Sequence, residues 1–248
     1  MAALDSGAFR EALFDIFEKN HLSAFLDSEK AERFRMLTEF LLEQNARFNL
    51  TAVTDPAAVI LRHYADSVSL CPLLPSGTLL DVGCGAGFPS LPIALCRPDI
   101  RVTALDATRK RTEYVQACAD RLGLSGLTVL CGRAEELAHG ELRASFTAVT
   151  ARGVAELRIL AELCIPFLQK DGRFLAMKAT GADAEAAGAE TAVALLGARS
   201  CGRKDFSLTD GCETLTRSVL LFRKDTPTPA LYPRPYAKIL KKPLGIHT

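Results

Sequence analysis

Three glycines at alternate positions, Gly83, Gly85 and Gly87, stand between an aspartate, Asp81, and an apolar run that begins at Phe88. Residues without a β-carbon let a chain turn sharply and let a ligand come up against the backbone. The triplet alone would equally suit a plain strand-to-helix turn. Its surroundings add a second acidic residue, Asp106, which closes the next apolar run, Val102-Thr103-Ala104-Leu105. A carboxylate there can accept hydrogen bonds from both hydroxyls of a ribose. Together these residues point to a site for a nucleoside-containing cofactor.

Charged residues also follow the later strand candidates: Glu135 after the third, Arg152 after the fourth and Lys178 after the fifth. Ligands of open α/β sheets bind beyond the carboxyl ends of the strands. Each charge alone would suit an exposed loop. Charges at five successive strand ends are costly to bury and are expected to face one crevice. The glycine spacing is GxGxG, with Phe88 where a dinucleotide-binding turn would carry its last glycine, and Pro89 and Pro92 remove two N–H donors that a pyrophosphate would use. S-adenosylmethionine fits better, its amino-acid end near Gly83 to Gly87, its ribose on Asp106 and its adenine near Ala134 and Glu135.

These side chains need a scaffold that brings strand ends together. Strand candidates are Leu79–Val82, Val102–Leu105, Leu127–Leu130, Phe146–Thr150 and Arg173–Met177. Helical patterns fall between them, most clearly Thr108 to Leu122 and Ala155 to Leu168. Such alternation argues for a parallel sheet covered by helices. After a helix over Ala182–Gly197, late strands near Cys201–Ser207 and Thr216–Phe222 flank an Asp210-Gly211 turn signal. An antiparallel final pair suits a methyltransferase sheet better than a dehydrogenase one.

Ahead of the sheet, Phe9, Leu13, Ile16 and Phe17 mark a helix over Ala8 to Glu18. A longer one, with Ser28 as its expected cap and Ala31, Phe34, Leu37 and Leu41 as its stripe, ends near Asn45 to Asn49. A third follows Asp55-Pro56 to about Leu70, with Pro56 in the first turn. Residues 1–75 therefore read as a helical extension covering an edge or mouth of a main domain over 76–224. Residues 225–248 form a tail with five prolines and no acidic residue beyond Asp225.

With 48% apolar residues the 248-residue chain can build a full core. No apolar run is long enough to cross a bilayer. Met1-Ala2-Ala3-Leu4-Asp5-Ser6 lacks the pattern of a secretory signal. The eight cysteines show no CxxC pair and no histidine at metal-ligand spacing. Most, including Cys96, Cys118, Cys131 and Cys164, lie in apolar segments where cysteine acts as a small hydrophobe. Reduced thiols, a cytoplasmic location and no metal are expected. The net charge of +1 favours no class of partner.

The stretches DVGCGAGFPSLPIAL, LDATRKR, GRAEEL and TARG, in that order, resemble the GidB or RsmG family of bacterial methyltransferases. Asn45 to Thr51 and Arg62-His63 with Asp66-Ser67 match that family's helical lead-in. Tyr232-Pro233-Arg234, Lys241 and Pro243-Leu244 match its C-terminal signature. The resemblance runs from about Asn45 to Leu244. It implies a Rossmann-like class I SAM-dependent methyltransferase sheet, mostly parallel with an antiparallel last strand. It also implies methyl transfer to N7 of a guanine in the decoding-region loop of 16S rRNA, with cofactor contacts at Gly83, Phe88, Ala134, Glu135 and Arg152. The chain departs from the family at Ser90, usually Gly, at Gly153, usually Ala, and at Ala179, commonly Gly.

The residues that are absent suit this reaction. Guanine N7 offers a lone pair and carries no proton, so attack on a methyl group needs no general base. No Asn/Asp-Pro-Pro-aromatic turn follows the fourth strand for an exocyclic amine, and no cysteine stands there for a pyrimidine carbon. Arg152 and Lys178 are expected to position phosphate or base. Arg109, Lys110 and Arg111 can hold RNA phosphates or form a solvated face. Arg234, Lys238, Lys241 and Lys242 belong either to a solvated tail or to a basic arm with Tyr232 and Tyr236 as stacking groups. His63 suits an ordinary polar contact, and Arg62 with Asp66 an i,i+4 pair. The expected partner is 16S rRNA or a small-subunit particle, met by a monomer. Methylation of another RNA, a non-catalytic RNA-binding module and a nicotinamide-dependent oxidoreductase are the alternatives, the last disfavoured by the glycine spacing.

Overall fold

A computed structural model describes residues 5–179 and 182–245. The reading of residues 1–4 as no secretory signal lies outside them. Asp5 caps α1 (Ser6–Lys19), its carboxylate accepting the N–H groups of Gly7 and Ala8. Asp27, not Ser28, caps α2 (Ser28–Phe48) by accepting the Lys30 N–H at 2.8 Å. An acceptor already stands one residue upstream, and the Ser28 hydroxyl instead accepts from Arg10. Asp55 caps α3 (Pro56–Val59), with Pro56 in the first turn. The helix continues through a π-helical turn, Ile60–Ala65, into α4 (Asp66–Val68).

Strand and helix then alternate: β1 (Gly77–Val82), α5 (Ser90–Cys96), β2 (Ile100–Asp106), α6 (Arg109–Leu122), β3 (Leu127–Cys131), α7 (Ala134–Leu137), β4 (Phe146–Arg152), α8 (Leu157–Cys164), β5 (Leu168–Lys178), α9 (Ala182–Leu195), β6 (Ala198–Thr209), β7 (Thr214–Lys224) and α10 (Tyr236–Lys241). The seven strands form one sheet in the order β3-β2-β1-β4-β5-β7-β6. Pairing is parallel from β3 to β5, and β7 runs antiparallel to both β5 and β6. The expected mostly parallel sheet with a reversed last strand is the one observed. Its order reverses between β1 and β4, which opens a crevice at their carboxyl ends.

Alternation along the strands builds a core on each face. Leu79, Ala104, Ala148, Leu175 and Val219 join one apolar cluster, while Leu80, Leu105, Val149, Ala176 and Leu220 join the other. The first cluster includes Leu13, Phe17, Phe34, Leu37 and Tyr64 together with Leu91 of α5 and Val115 of α6, so the N-terminal helices share one face of the sheet with α5 and α6. Asn20 ties α1 to the far hairpin, its amide exchanging hydrogen bonds of 2.7 and 2.8 Å with the Thr209 backbone.

Several sequence-based boundaries shift. The helix expected to run to Leu168 stops at Cys164, because Pro166 cannot continue it, and a 3-10 turn at Ile165–Phe167 leads into β5 five residues earlier than expected. The late strands lengthen to close on a tight turn, in which the Asp210 carboxylate accepts from Cys212 and Glu213. Cys131 is exposed, unlike Cys96, Cys118 and Cys164.

The tail is neither a solvated chain nor a free arm. The Arg143 guanidinium donates to the carbonyls of Thr228, Pro229 and Tyr232, and His139 Nε2 lies 2.8 Å from the Pro233 carbonyl oxygen. Burial pushes the Lys224 ammonium down to about 8 while it donates to the Leu196 carbonyl and the Thr228 hydroxyl. Ile239 and Leu244 are buried in the second cluster.

Candidate functional site

The turn after β1 is pinned from behind by β2, whose Leu105 carbonyl accepts the N–H groups of both Gly83 and Cys84. Gly85 has φ +57°, and a β-carbon there would meet nothing nearer than 4.0 Å, so its backbone borders open space. Gly87 differs: a β-carbon would lie 2.4 Å from Leu91 Cδ1. That glycine serves close packing of the turn on α5 and lines no cavity described here.

A cavity of about 430 Å³ opens beyond β1, β2 and β3, lined by Gly83, Gly85, Asp106, Ala134, Glu135 and Arg152. Its size falls in the range of small-molecule sites, roughly 300–1,000 Å³. Asp106 accepts the N–H groups of Gly85 at 3.0 Å and Thr108 at 2.8 Å. The carboxylate thus aligns the glycine turn with the start of α6 and keeps lone pairs for further donors. Glu135 faces Arg133 at 3.5 Å. Phe88 lies outside this cavity and lines a smaller one beside it with His63 and Arg152.

A second cavity, about 450 Å³, begins on the other side of Arg152 and Gly153. Arg62, His63, Asp66, Lys178, Glu185 and Arg217 line it. Asp66, 4% exposed, receives Arg152 at 2.9 Å and Arg217 at 2.8 Å. Lys178 pairs with Glu185 at 2.5 Å and donates to the Ala155 carbonyl. The expected Arg62–Asp66 pair is absent, because Asp66 is taken by two other arginines and Arg62 reaches Glu213 on the hairpin. Two guanidinium groups sharing one carboxylate leave an excess of positive charge here.

The five strand-end charges therefore do not face one crevice. Asp106 and Glu135 line the first cavity, Lys178 the second, and Arg152 both. Asp81 is fully buried, where desolvation pushes its carboxyl up to about 6. One oxygen accepts the Ser90 hydroxyl and the other has no partner among the described residues. Ser90, a family departure, thus gives that carboxylate its one side-chain donor. His63 stacks on Phe88 with ring centroids 4.5 Å apart. Burial, reinforced by the Arg152 charge, pushes His63 down to about 4 and keeps it neutral near pH 7.

The residues read as RNA contacts divide as well. Arg111 lines the first cavity, 3.5 Å from Asp106, and Lys110 lies over the Phe48 ring. Arg109, Lys238, Lys241 and Lys242 are exposed. Arg234 is not: both of its prongs and its backbone N–H go to Glu162, which is fully buried. Sequence reasoning passed over Glu185, Arg217, Val154 and Leu163 as site residues, and took Tyr236 only as an RNA-stacking group. Val154 follows Arg152 in the same strand-end loop and could have been read with it, whereas Glu185, Arg217 and Leu163 reach their cavities through the packing of other elements. Among the described residues, no group of three His, Cys, Asp or Glu could hold a metal ion, and no helix is long and apolar enough to cross a membrane.

The residues fit S-adenosylmethionine on structural grounds: open space over Gly85, a carboxylate at the end of β2 with lone pairs to spare, and Ala134 and Glu135 on the same cavity wall. Known proteins agree. A family profile described as rRNA small subunit methyltransferase G, GidB, matches residues 30–209. A ribosomal RNA small subunit methyltransferase G of Streptococcus thermophilus is 40% identical over 226 residues, covering 88% of this chain and 93% of that protein. One of Geobacillus thermodenitrificans is 39% identical over 223 residues, with the same coverage. Among solved structures, a precorrin-6y C5,15-methyltransferase of Geobacter metallireducens aligns with TM-score 0.50 at 15% identity, over 65% of this chain and 87% of its own. The [4+2]-cyclase SpnF aligns with TM-score 0.52 at 18% identity, over 65% and 82%. These last two likenesses speak for the fold alone.

Proposed function

Because this chain belongs to the rRNA small subunit methyltransferase G family, GidB, we propose that it transfers the methyl group of S-adenosylmethionine to N7 of a guanine in the decoding-region loop of 16S rRNA. The observation that carries the reading is the meeting of two cavities at Arg152 and Gly153. One has the groups a nucleoside cofactor needs, and the other has the cations that RNA needs.

When bound, S-adenosylmethionine supplies a methyl group on a positively charged sulfur. In this reading Gly83 and Gly85 border its amino-acid end, Asp106 accepts from its ribose, and Ala134 and Glu135 flank its adenine. Phe88 holds His63 and Arg152 in place between the cavities. Arg152, Arg217 and Lys178 draw a phosphate or base into the second cavity. Their counter-ions Asp66 and Glu185 fix the directions in which the cations point. A cation next to N7 would oppose the positive charge that grows there, so these groups bind and orient. No proton has to leave N7, which suits a site where His63 is neutral and committed to Thr51. Orientation alone can be worth effective molarities on the order of 10⁵ M or more.

Residues 1–75 serve in this reading as a helical extension, 76–224 as the catalytic domain and 225–248 as a basic, proline-rich tail. The protein acts as a cytoplasmic monomer on 16S rRNA or the small-subunit particle, without a metal. Tritium transfer from labelled S-adenosylmethionine to 16S RNA, with mass mapping of N7-methylguanine in cells with and without the gene, tests the proposal. Unchanged N7-methylguanine after deletion would remove it.

A further inference from the structure

The tail brings one side chain into the cofactor cavity. Tyr236, at the start of α10, lines the same cavity as Asp106, Ala134 and Glu135. It sits at the Ala134–Glu135 end: the Arg133 guanidinium that faces Glu135 lies 6.0 Å from the centre of the Tyr236 ring. The opposite support comes from α8, where Leu163 lines the cavity and its neighbour Glu162 is fully buried.

A buried carboxylate is tolerated only when paired and hydrogen-bonded. Among the described residues Glu162 meets that condition through Arg234 alone, whose N–H, Nε and Nη2 donate at 2.8, 2.8 and 2.7 Å. Lifting the tail would strand that charge inside the protein. Arg143 and His139 hold the chain on the carbonyls just before Arg234. Tyr236 follows two residues later, so its ring is carried to the cavity wall by an anchored segment.

We propose that Tyr236 is a cofactor-binding residue that packs against the adenine end of S-adenosylmethionine, and that Arg234 is its positioning residue, acting through Glu162. This rests on the reading of the larger cavity as the cofactor site. It moves Arg234 from the RNA contacts to the cofactor site and leaves Lys238, Lys241 and Lys242 free for phosphates.

Calorimetric titration of the full chain with S-adenosylhomocysteine tests it. Tyr236→Ala should weaken binding about tenfold, the loss typical of removing an aromatic from a base, whereas Tyr236→Phe should stay within about twofold. Arg234→Ala should weaken binding comparably, and the double variant should lose no more than Tyr236→Ala alone, since both act through one ring. Should Arg234→Ala not fold, Arg234→Lys, which keeps the charge and loses the fork, is read in its place. The salt dependence of RNA affinity should not change in Tyr236→Ala. Wild-type affinity in Tyr236→Ala overturns the proposal. If Asp106→Ala still weakens binding, only the tail is excluded from the site; if it too binds normally, the cavity assignment falls as well. An Arg234 variant that melts earlier yet binds like wild type overturns the positioning role.

Discussion

Lowering the pH from about 7.5 to about 5 should weaken S-adenosylmethionine binding by up to about tenfold, and Asp81 should be the cause. The carboxyl is fully buried, has one oxygen without a donor, and is pushed up to about 6 by desolvation. At about pH 5 it is then only about one-tenth ionised. Asp81 does not line the cavity, so its charge acts through space, from the end of β1, on a cofactor that carries a sulfonium and an ammonium group. The same shift acts on folding with the opposite sign. Because the folded-state value lies above the ordinary 3.8, stability present below that value is lost as pH rises through about 6. The loss is at most ~3 kcal/mol. His63 runs the other way: held near 4, it takes stability away as pH falls from 6.5 through 4. Melting curves must therefore be read as wild type against Asp81→Asn, in which the His63 contribution cancels. Titration calorimetry across the pH range reads the affinity directly. A flat dissociation constant in the wild type, or the same slope in Asp81→Asn, would refute the linkage.

Asp66→Ala should destabilise the fold by about 1.5–3 kcal/mol in urea unfolding, because Arg152 and Arg217 lose their shared carboxylate but keep access to the cavity they line; an unchanged midpoint would mean the two pairs contribute nothing. Gly85→Val should abolish methyl transfer, since a branched side chain at φ +57° would be strained and would fill the open space over the turn. Near-normal turnover would reduce the glycine to a turn residue. Asp106→Ala should cost roughly one to two decades of cofactor affinity, the loss of hydrogen bonds to a charged acceptor, and calorimetry giving an unchanged constant would take Asp106 out of the site. Replacing Lys238, Lys241 and Lys242 with Ala should make the dependence of log RNA affinity on log salt shallower by roughly 0.7–0.9 per lost phosphate contact. An unaltered slope would show that the exposed face of α10 does not touch RNA.

What the sequence determined by itself was local. The adjacent apolar pair Leu79-Leu80, with Val82, specifies a strand buried on both faces, and the glycines that follow specify a sharp turn at its carboxyl end. Asp106 could be placed at the end of the next strand for the same reason, because strand periodicity and the residue that ends it lie within one short segment. Asp55-Pro56 and Asp210-Gly211 likewise carry their own caps and turns. Ser28 was misread only by one position, where two capping residues stand side by side.

Charge pairing was decided by tertiary structure. Asp66 finds Arg152 and Arg217, 86 and 151 residues away, and Glu162 finds Arg234 across 72. No periodicity encodes such meetings. Arg217 enters the second cavity because β7 inserts antiparallel beside β5, and Tyr236 enters the first because Glu162 must be neutralised. A strand-end residue can be read as pointing to the site from its own segment. Whether its charge stays free, is buried like Asp81 or is paired like Arg152 depends on which distant group the fold sets against it. That choice follows from the cost of burying an unpaired charge, and only the assembled chain settles it.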